Sequence, residues 1–268
     1  IYNSAFKNAK VTVLSVIKSN DLVKYYKNES QFYSTLLDEK GNPIANNTAV
    51  QFNVNGVFYT RYTNENGTAK LNIKLYPEHY IITIIHPKGE KKGYNITVLP
   101  TIISKDLVKY YKNESQFYAT FLNGQGKPIA NNTEVHFNVN GVFYTSYTNE
   151  NGTAKLNINL YPGNYIITSM HPDGFQMGVN IFVNKTLITY DISQPCNKTG
   201  TATFNAEVLD GQGRPLSNAS VTFLIAGKVL TKITDEKGIA SINIKAYPGV
   251  YTITTTYNGY SVGKTLEI

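Results

Sequence analysis

The chain has 268 residues, of which 41% are hydrophobic and 16% charged, and a formal net charge of +7. That balance excludes a disordered polyelectrolyte. Only Arg61 and Arg214 of the 25 basic residues are arginine, and no block of like charge occurs, which argues against nucleic acid as a partner.

The single cysteine, Cys196, rules out an internal disulfide and a cysteine-ligated metal site, so it reads as a free thiol. No apolar run reaches the length of a membrane span, so no direct membrane insertion is expected in this segment. Both ends fall inside strand-like sequence, as in a piece of something longer. Residues 1–13 end in KVTV, which matches NITV at 95–98 and NIFV at 180–183, and this reads as the tail strand of a preceding repeat.

Internal repetition then dominates. DLVKYYKNESQFY stands at 21–33 and again at 106–118, FNVNGVFYT at 52–60 and 137–145, and TNENGTAKLNI at 63–73 and 148–158, all offset by 85 residues. A third copy keeps the punctuation: GKP at 126–128 becomes GRP at 213–215, and LYPGNY at 160–165 becomes AYPGVY at 246–251. Its opening has diverged to DISQPCNKTGTATF at 191–204.

Within each copy apolar residues alternate, as in Phe117, Ala119 and Phe121, Val135, Phe137 and Val139, or Val221, Phe223 and Ile225. Period two marks strands with one buried face, and Gly, Asn and Pro clusters separate them. Tyr80, Tyr165 and Tyr251 follow the Tyr-Pro turn at the entry to a late strand, where a tyrosine corner belongs. The expectation is an all-β chain of three tandem Ig-like antiparallel β-sandwich domains arranged as an elongated rod on the order of 100 Å long. Their expected spans are 14–99, 100–184 and 185–268.

The motif string resembles the bacterial-type Ig-like repeats of long adhesin-like surface proteins of methanogenic archaea. The resemblance implies a non-enzymatic, extracellular stalk at the cell surface or cell wall. Its partners would be other cells or surface glycans met through the parent adhesin. A monomeric rod with no cofactor is expected.

Ten Asn-x-Ser/Thr sequons fit an outside location: Asn28, Asn46, Asn66, Asn95, Asn113, Asn131, Asn151, Asn184, Asn197 and Asn218. An Asn- and Thr-rich composition also generates such triplets by chance. Enzyme chemistry is not assembled: His79, His86, His136 and His171 lack metal-ligand spacing, and the carboxylates of DEKG, NENG and DGQG suit turns.

One constellation offers covalent chemistry. Lys24 and Lys109 lie on the first strand, Asn95 and Asn180 on the last, the placement that forms an intramolecular isopeptide bond in Gram-positive adhesin domains. A neutral, desolvated amine would attack the asparagine amide and expel ammonia, with Asp21, Glu29, Asp106 or Glu114 moving the proton. In the third copy Gln194 and Thr265 replace both partners, or, with another gap placement, Cys196 stands opposite the lysine. Strand parity opposes the bond, because burial of Ile181 and Val183 turns Asn180 outward. The competing reading is a solvated edge-strand lysine. Exposed tyrosines such as Tyr118 and Tyr147 suit either sugar stacking in a carbohydrate, wall or host-glycan binding module, or plain strand formation.

Overall fold

A computed structural model describes residues 13–194 and 198–268. The tail strand expected within residues 1–13, Cys196 and the sequon at Asn197 therefore fall, Val13 apart, outside the described residues. Every element among the described residues is a strand.

The first copy supplies β1 (Ile17–Ser19), β2 (Leu22–Tyr25), β3 (Gln31–Leu36), β4 (Ala49–Val54), β5 (Val57–Tyr62), β6 (Thr68–Asn72), β7 (Glu78–Ile85) and β8 (Lys91–Leu99). The second supplies β9 (Ile102–Ser104), β10 (Leu107–Tyr110), β11 (Gln116–Phe121), β12 (Glu134–Val139), β13 (Val142–Tyr147), β14 (Thr153–Asn157), β15 (Gly163–Met170) and β16 (Gln176–Asn184). The third supplies β17 (Leu187–Thr189), β18 (Ile192–Ser193), β19 (Gly200–Val208), β20 (Ser220–Ile225), β21 (Lys228–Ile233), β22 (Ile239–Ala246), β23 (Val250–Tyr257) and β24 (Tyr260–Glu267).

Each copy builds one three-stranded and one five-stranded sheet in the same order, β1-β3-β6 and β2-β8-β7-β4-β5 in the first. Among the described residues all strand pairings are antiparallel except first against last, β2 with β8, β10 with β16 and β18 with β24. Eight strands appear where about seven are expected for the fold, because the opening strand divides. Ile17 is buried in the first sheet, and after Asn20 and Asp21 the chain crosses to the second sheet, where Lys24 is buried.

The expected alternation is present: Phe117, Ala119, Phe121, Val135, Phe137 and Val139 are all buried, as are Val221, Phe223 and Ile225. One edge-to-face phenylalanine pair joins the two sheets of every copy. Phe32 meets Phe52 at 6.2 Å and 85°, Phe117 meets Phe137 at 5.6 Å and 90°, and Phe204 meets Phe223 at 6.1 Å and 89°. Such pairs contribute about 0.5–1.5 kcal/mol beyond area burial.

By contact density the chain divides into two compact units, Ile1–Thr101 with Leu122–Ile129, and Ile102–Phe121 with Ala130–Ile268.

Candidate functional site

The chemistry-bearing residues of each copy gather where β2, or its counterpart, runs beside the last strand. In this parallel pair Leu22 stands opposite Ile96 and Lys24 opposite Val98, and Ile96, Val98 and Lys24 are buried. Asn95 belongs to the opposite, exposed face. The second copy repeats this, with Lys109 opposite Val183 and Asn180 exposed.

Lys24 and Asn95 therefore lie on opposite faces of one sheet, and so do Lys109 and Asn180. The crosslink expected from the sequence is not a contact of this structure, for the parity reason already given: β8 and β16 run without a bulge through these positions.

Each group has another partner. Lys24 Nζ donates to Ile73 O at 2.8 Å and Ser30 O at 3.0 Å, and Lys109 Nζ donates to Ile158 O and Ser115 O at the same two distances. The lysine thus ties the turn that follows its own strand to the end of the other sheet. Desolvation lowers the pKa of both amines, opposed at Lys24 by the charge of Glu29. Lys24 lines a cleft of about 320 Å³ together with Tyr26, Glu29 and Leu75. These lysines stand on edge strands but are buried staples, which corrects the reading of them as solvated.

Of the carboxylates expected to assist at the lysine, Asp21 and Asp106 serve the asparagine instead. Asp21 accepts the Asn95 backbone N–H at 2.8 Å and its Nδ2 at 3.0 Å, and Asp106 treats Asn180 alike at 2.8 and 3.1 Å. In the third copy Asp191 accepts the Thr265 N–H at 2.7 Å, which places Thr265 where the sequence reading put it. Hydrogen bonds from the last strand hold all three aspartates below their usual pKa: from Asn95 at Asp21, from Asn180 at Asp106, and from Thr265 and Lys264 at Asp191. Glu29 and Glu114 are exposed.

The tyrosine corner is present three times, Tyr80 Oη donating to Tyr76 O at 2.9 Å, Tyr165 to Tyr161 at 2.8 Å and Tyr251 to Tyr247 at 3.0 Å. Tyr76 in turn stacks on Tyr26 at 5.6 Å, and Tyr161 on Tyr111 at 5.7 Å, so the corner supports the turn after the first strand. Asp38, Asp210 and Asp235 close turns, each accepting two backbone N–H groups. His86 accepts the Lys88 N–H at Nδ1 and so donates Nε2–H to Leu37 O at 3.1 Å, a turn closure. Among the described residues no group of three His, Cys, Asp or Glu is placed to hold a metal.

The sequons divide. Asn46, Asn66, Asn131, Asn151, Asn184 and Asn218 are exposed. Asn95 is exposed, but its amide is held by Asp21. At Asn28 and Asn113 both amide atoms are engaged: Oδ1 accepts the Ser30 or Ser115 N–H, and Nδ2 donates to Gly124 O or Gly211 O.

Sequence reasoning missed a buried threonine common to the copies. Thr63, Thr148 and Thr234 donate Oγ1–H to Ala45 O, Ala130 O and Leu216 O and accept the N–H of Thr48, Thr133 and Ala219. The signal was available, since each is the residue just before the Asn or Asp of a repeated turn.

No protein-family model matches the chain. It is 28% identical over 261 residues to the inverse autotransporter adhesin YeeJ of Escherichia coli strain K12, a match covering 84% of this chain and 11% of that protein. The chain therefore spans about a ninth of the relative's length. Among solved structures it is similar to the I9–I11 tandem of titin, at 15% identity, 94% of this chain, 98% of that chain and a TM-score of 0.32. It is also similar to the Escherichia coli adhesin FdeC, at 11% identity, 96% and 99% coverage and a TM-score of 0.29. A Ca²⁺-stabilised ice-binding adhesin of an Antarctic bacterium gives 16% identity, 95% and 73% coverage and a TM-score of 0.22. The relative matched by sequence is bacterial, and over most of its length the chain is similar to a bacterial adhesin.

Proposed function

We propose that this chain is a non-enzymatic stalk segment of a cell-surface adhesin, three Ig-like repeats spanning 14–99, 100–184 and 185–268 in a monomeric rod. The observation that carries this reading is the recurrence of the same two-sheet unit, closed by the same aspartate clasp, tyrosine corner and phenylalanine pair. Repetition of a closed unit adds reach without adding a site. The similarity to an inverse autotransporter adhesin supports a surface location, and the motif resemblance adds an archaeal source and a cell wall to the proposal.

In this reading the repeats persist without covalent crosslinks, because each buried lysine is held by two carbonyls on the face opposite its asparagine. Small-angle scattering tests it: a maximum dimension on the order of 100 Å is expected. A value near that of a globule of the same mass would overturn it.

A glycan-binding module is the second reading, favoured by aromatic rings exposed on edge strands β5 and β13, namely Phe58, Tyr62, Phe143 and Tyr147. Saturable binding on a glycan array, lost on replacing Phe58 and Phe143 by Ser, would select it over the stalk.

A further inference from the structure

The turn that follows β2 and β10 and the hairpin loop one copy further on fit each other. In the first unit, β2 ends in Tyr25-Tyr26-Lys27-Asn28, a turn closed by the Asn28 N–H on Tyr25 O at 3.0 Å with Lys27 at φ 61°. Asn28 Nδ2 donates to Gly124 O at 2.6 Å, and the Tyr25 ring covers Gly126 so closely that a Cβ there would fall against the ring. The second unit repeats the arrangement. Asn113 Nδ2 donates to Gly211 O at 2.5 Å, Tyr110 covers Gly213, and Tyr111 meets Tyr260 at 5.7 Å.

The receiving loops read Gly124-Gln125-Gly126 and Gly211-Gln212-Gly213. The second glycine of each has φ of +73° or +79°, so it provides both the left-handed turn and a clear face for the ring. The first glycine provides only clearance: a Cβ on Gly124 would come within 3.0 Å of the backbone of Lys27 and Asn28, and one on Gly211 within 3.3 Å of Asn113 Cα. In the first copy this place is held by Glu39, within a hairpin closed in the same way by Asp38. In the third copy the segment from 194 reads Gln-Pro-Cys-Asn-Lys-Thr-Gly, without the tyrosine pair. Tips thus occur on copies one and two, and glycine sockets on copies two and three.

We propose that the Tyr-Tyr-Lys-Asn tip and the Gly-Gln-Gly hairpin are a matched docking pair that specifies which repeat follows which, and that Glu39 keeps the first hairpin from seating such a tip. The partner of a tip is another repeat of this kind with glycine at both loop positions. This pairing stands on geometry alone and holds whether or not the chain is a stalk.

The test is Gly211→Glu in the full chain, a residue that the same turn already carries at Glu39. Amide ¹⁵N relaxation of the unaltered chain is expected to give residues 130–184 and 200–268 one shared rotational correlation time. In the variant the two sets are expected to separate, with the amide shifts around Phe204 and Phe223 unchanged. Tumbling that stays shared in the folded variant would overturn the pairing. Should Gly211→Glu unfold the third repeat, Asn113→Ala combined with Tyr110→Ala decides by the same measurement, removing the tip and leaving the socket intact.

Discussion

Residues 106–118 and 191–203 hold the same place in successive repeats and share only half of their design. Both begin with an aspartate that takes a backbone N–H from the last strand, Asp106 from Asn180 and Asp191 from Thr265. Three residues on they part. Lys109 is 5% exposed and bonded to two carbonyls, whereas Gln194 is exposed. The tyrosine pair of the tip is absent from the later segment. The aspartate clasp is therefore part of the fold, needed wherever a first strand joins the sheet. The lysine goes with the tip: Nζ holds Ser30 O or Ser115 O, on the far side of the turn that carries Tyr25-Asn28 or Tyr110-Asn113. The segment that lacks the tyrosine pair lacks the lysine at this position as well.

The sharpest way to break this contrast is to remove the staple. Lys109→Ala leaves the Ile158 carbonyl without its donor inside the repeat, and a buried unsatisfied acceptor costs about 1–3 kcal/mol. Gln194→Ala, at the matching exposed position, is expected to cost less than about 0.5 kcal/mol. Hydrogen exchange reads the repeats separately, and equal loss of protection in the second and third repeats would contradict the assignment. The same lysine bears on the covalent alternative. With Asn180 on the opposite face, the intact mass of the folded chain is expected to equal that of the sequence, with no loss of ammonia.

The tyrosine corners reverse the comparison, since here all three repeats agree. Tyr80→Phe, Tyr165→Phe and Tyr251→Phe each remove one hydroxyl-to-carbonyl bond, and each is expected to cost about 1 kcal/mol. A marked difference among the three, read by thermal unfolding of the single variants, would show that one corner carries more than its own turn.

These corners were legible in the sequence because their signal is local: a Tyr-Pro turn, a fixed spacing and the start of a strand. The alternation of Phe117, Ala119 and Phe121 was legible for the same reason, and even the outward aim of Asn180 followed from its parity with Ile181 and Val183. The partners of Lys24 were not legible. Ile73 lies 49 residues away, and its backbone carbonyl has no residue-type signature, so a desolvated amine suggested a reactive one when two backbone carbonyls already held it. The tip and socket were hidden differently. Gly124 and Gly211 look like ordinary turn glycines until a side chain of the preceding repeat is found against them. The sequons at Asn28 and Asn113 misdirected in the same way, since their amides are occupied by that contact. Peptide mapping of glycosylated material is expected to find both empty while Asn66 or Asn151 carries sugar.

The smallest expected effect comes from the clasp that all repeats share, and it appears as a dependence on pH. Asp21, Asp106 and Asp191 have folded pKa values below the ordinary 3.8, because each carboxylate accepts a hydrogen bond that its unfolded form lacks. A carboxyl of this kind binds fewer protons folded than unfolded, so its stabilisation is complete above pH 3.8 and is lost as the pH falls below that value through the folded pKa. The lysines have the opposite trend at the other end of the scale. Their folded pKa lies below 10.5, so the folded chain sheds protons first and their contribution becomes more favourable as the pH rises towards 10.5. Because the aspartates are solvent-exposed, their contribution is modest and is weakened by salt. Denaturant midpoints are therefore expected to be level above pH 4 and to decline below it, with the decline reduced in the triple variant Asp21→Asn, Asp106→Asn, Asp191→Asn. An unchanged acid limb in that variant would assign the acid sensitivity to Asp38 and Asp210, whose turn hydrogen bonds lower their pKa in the same direction.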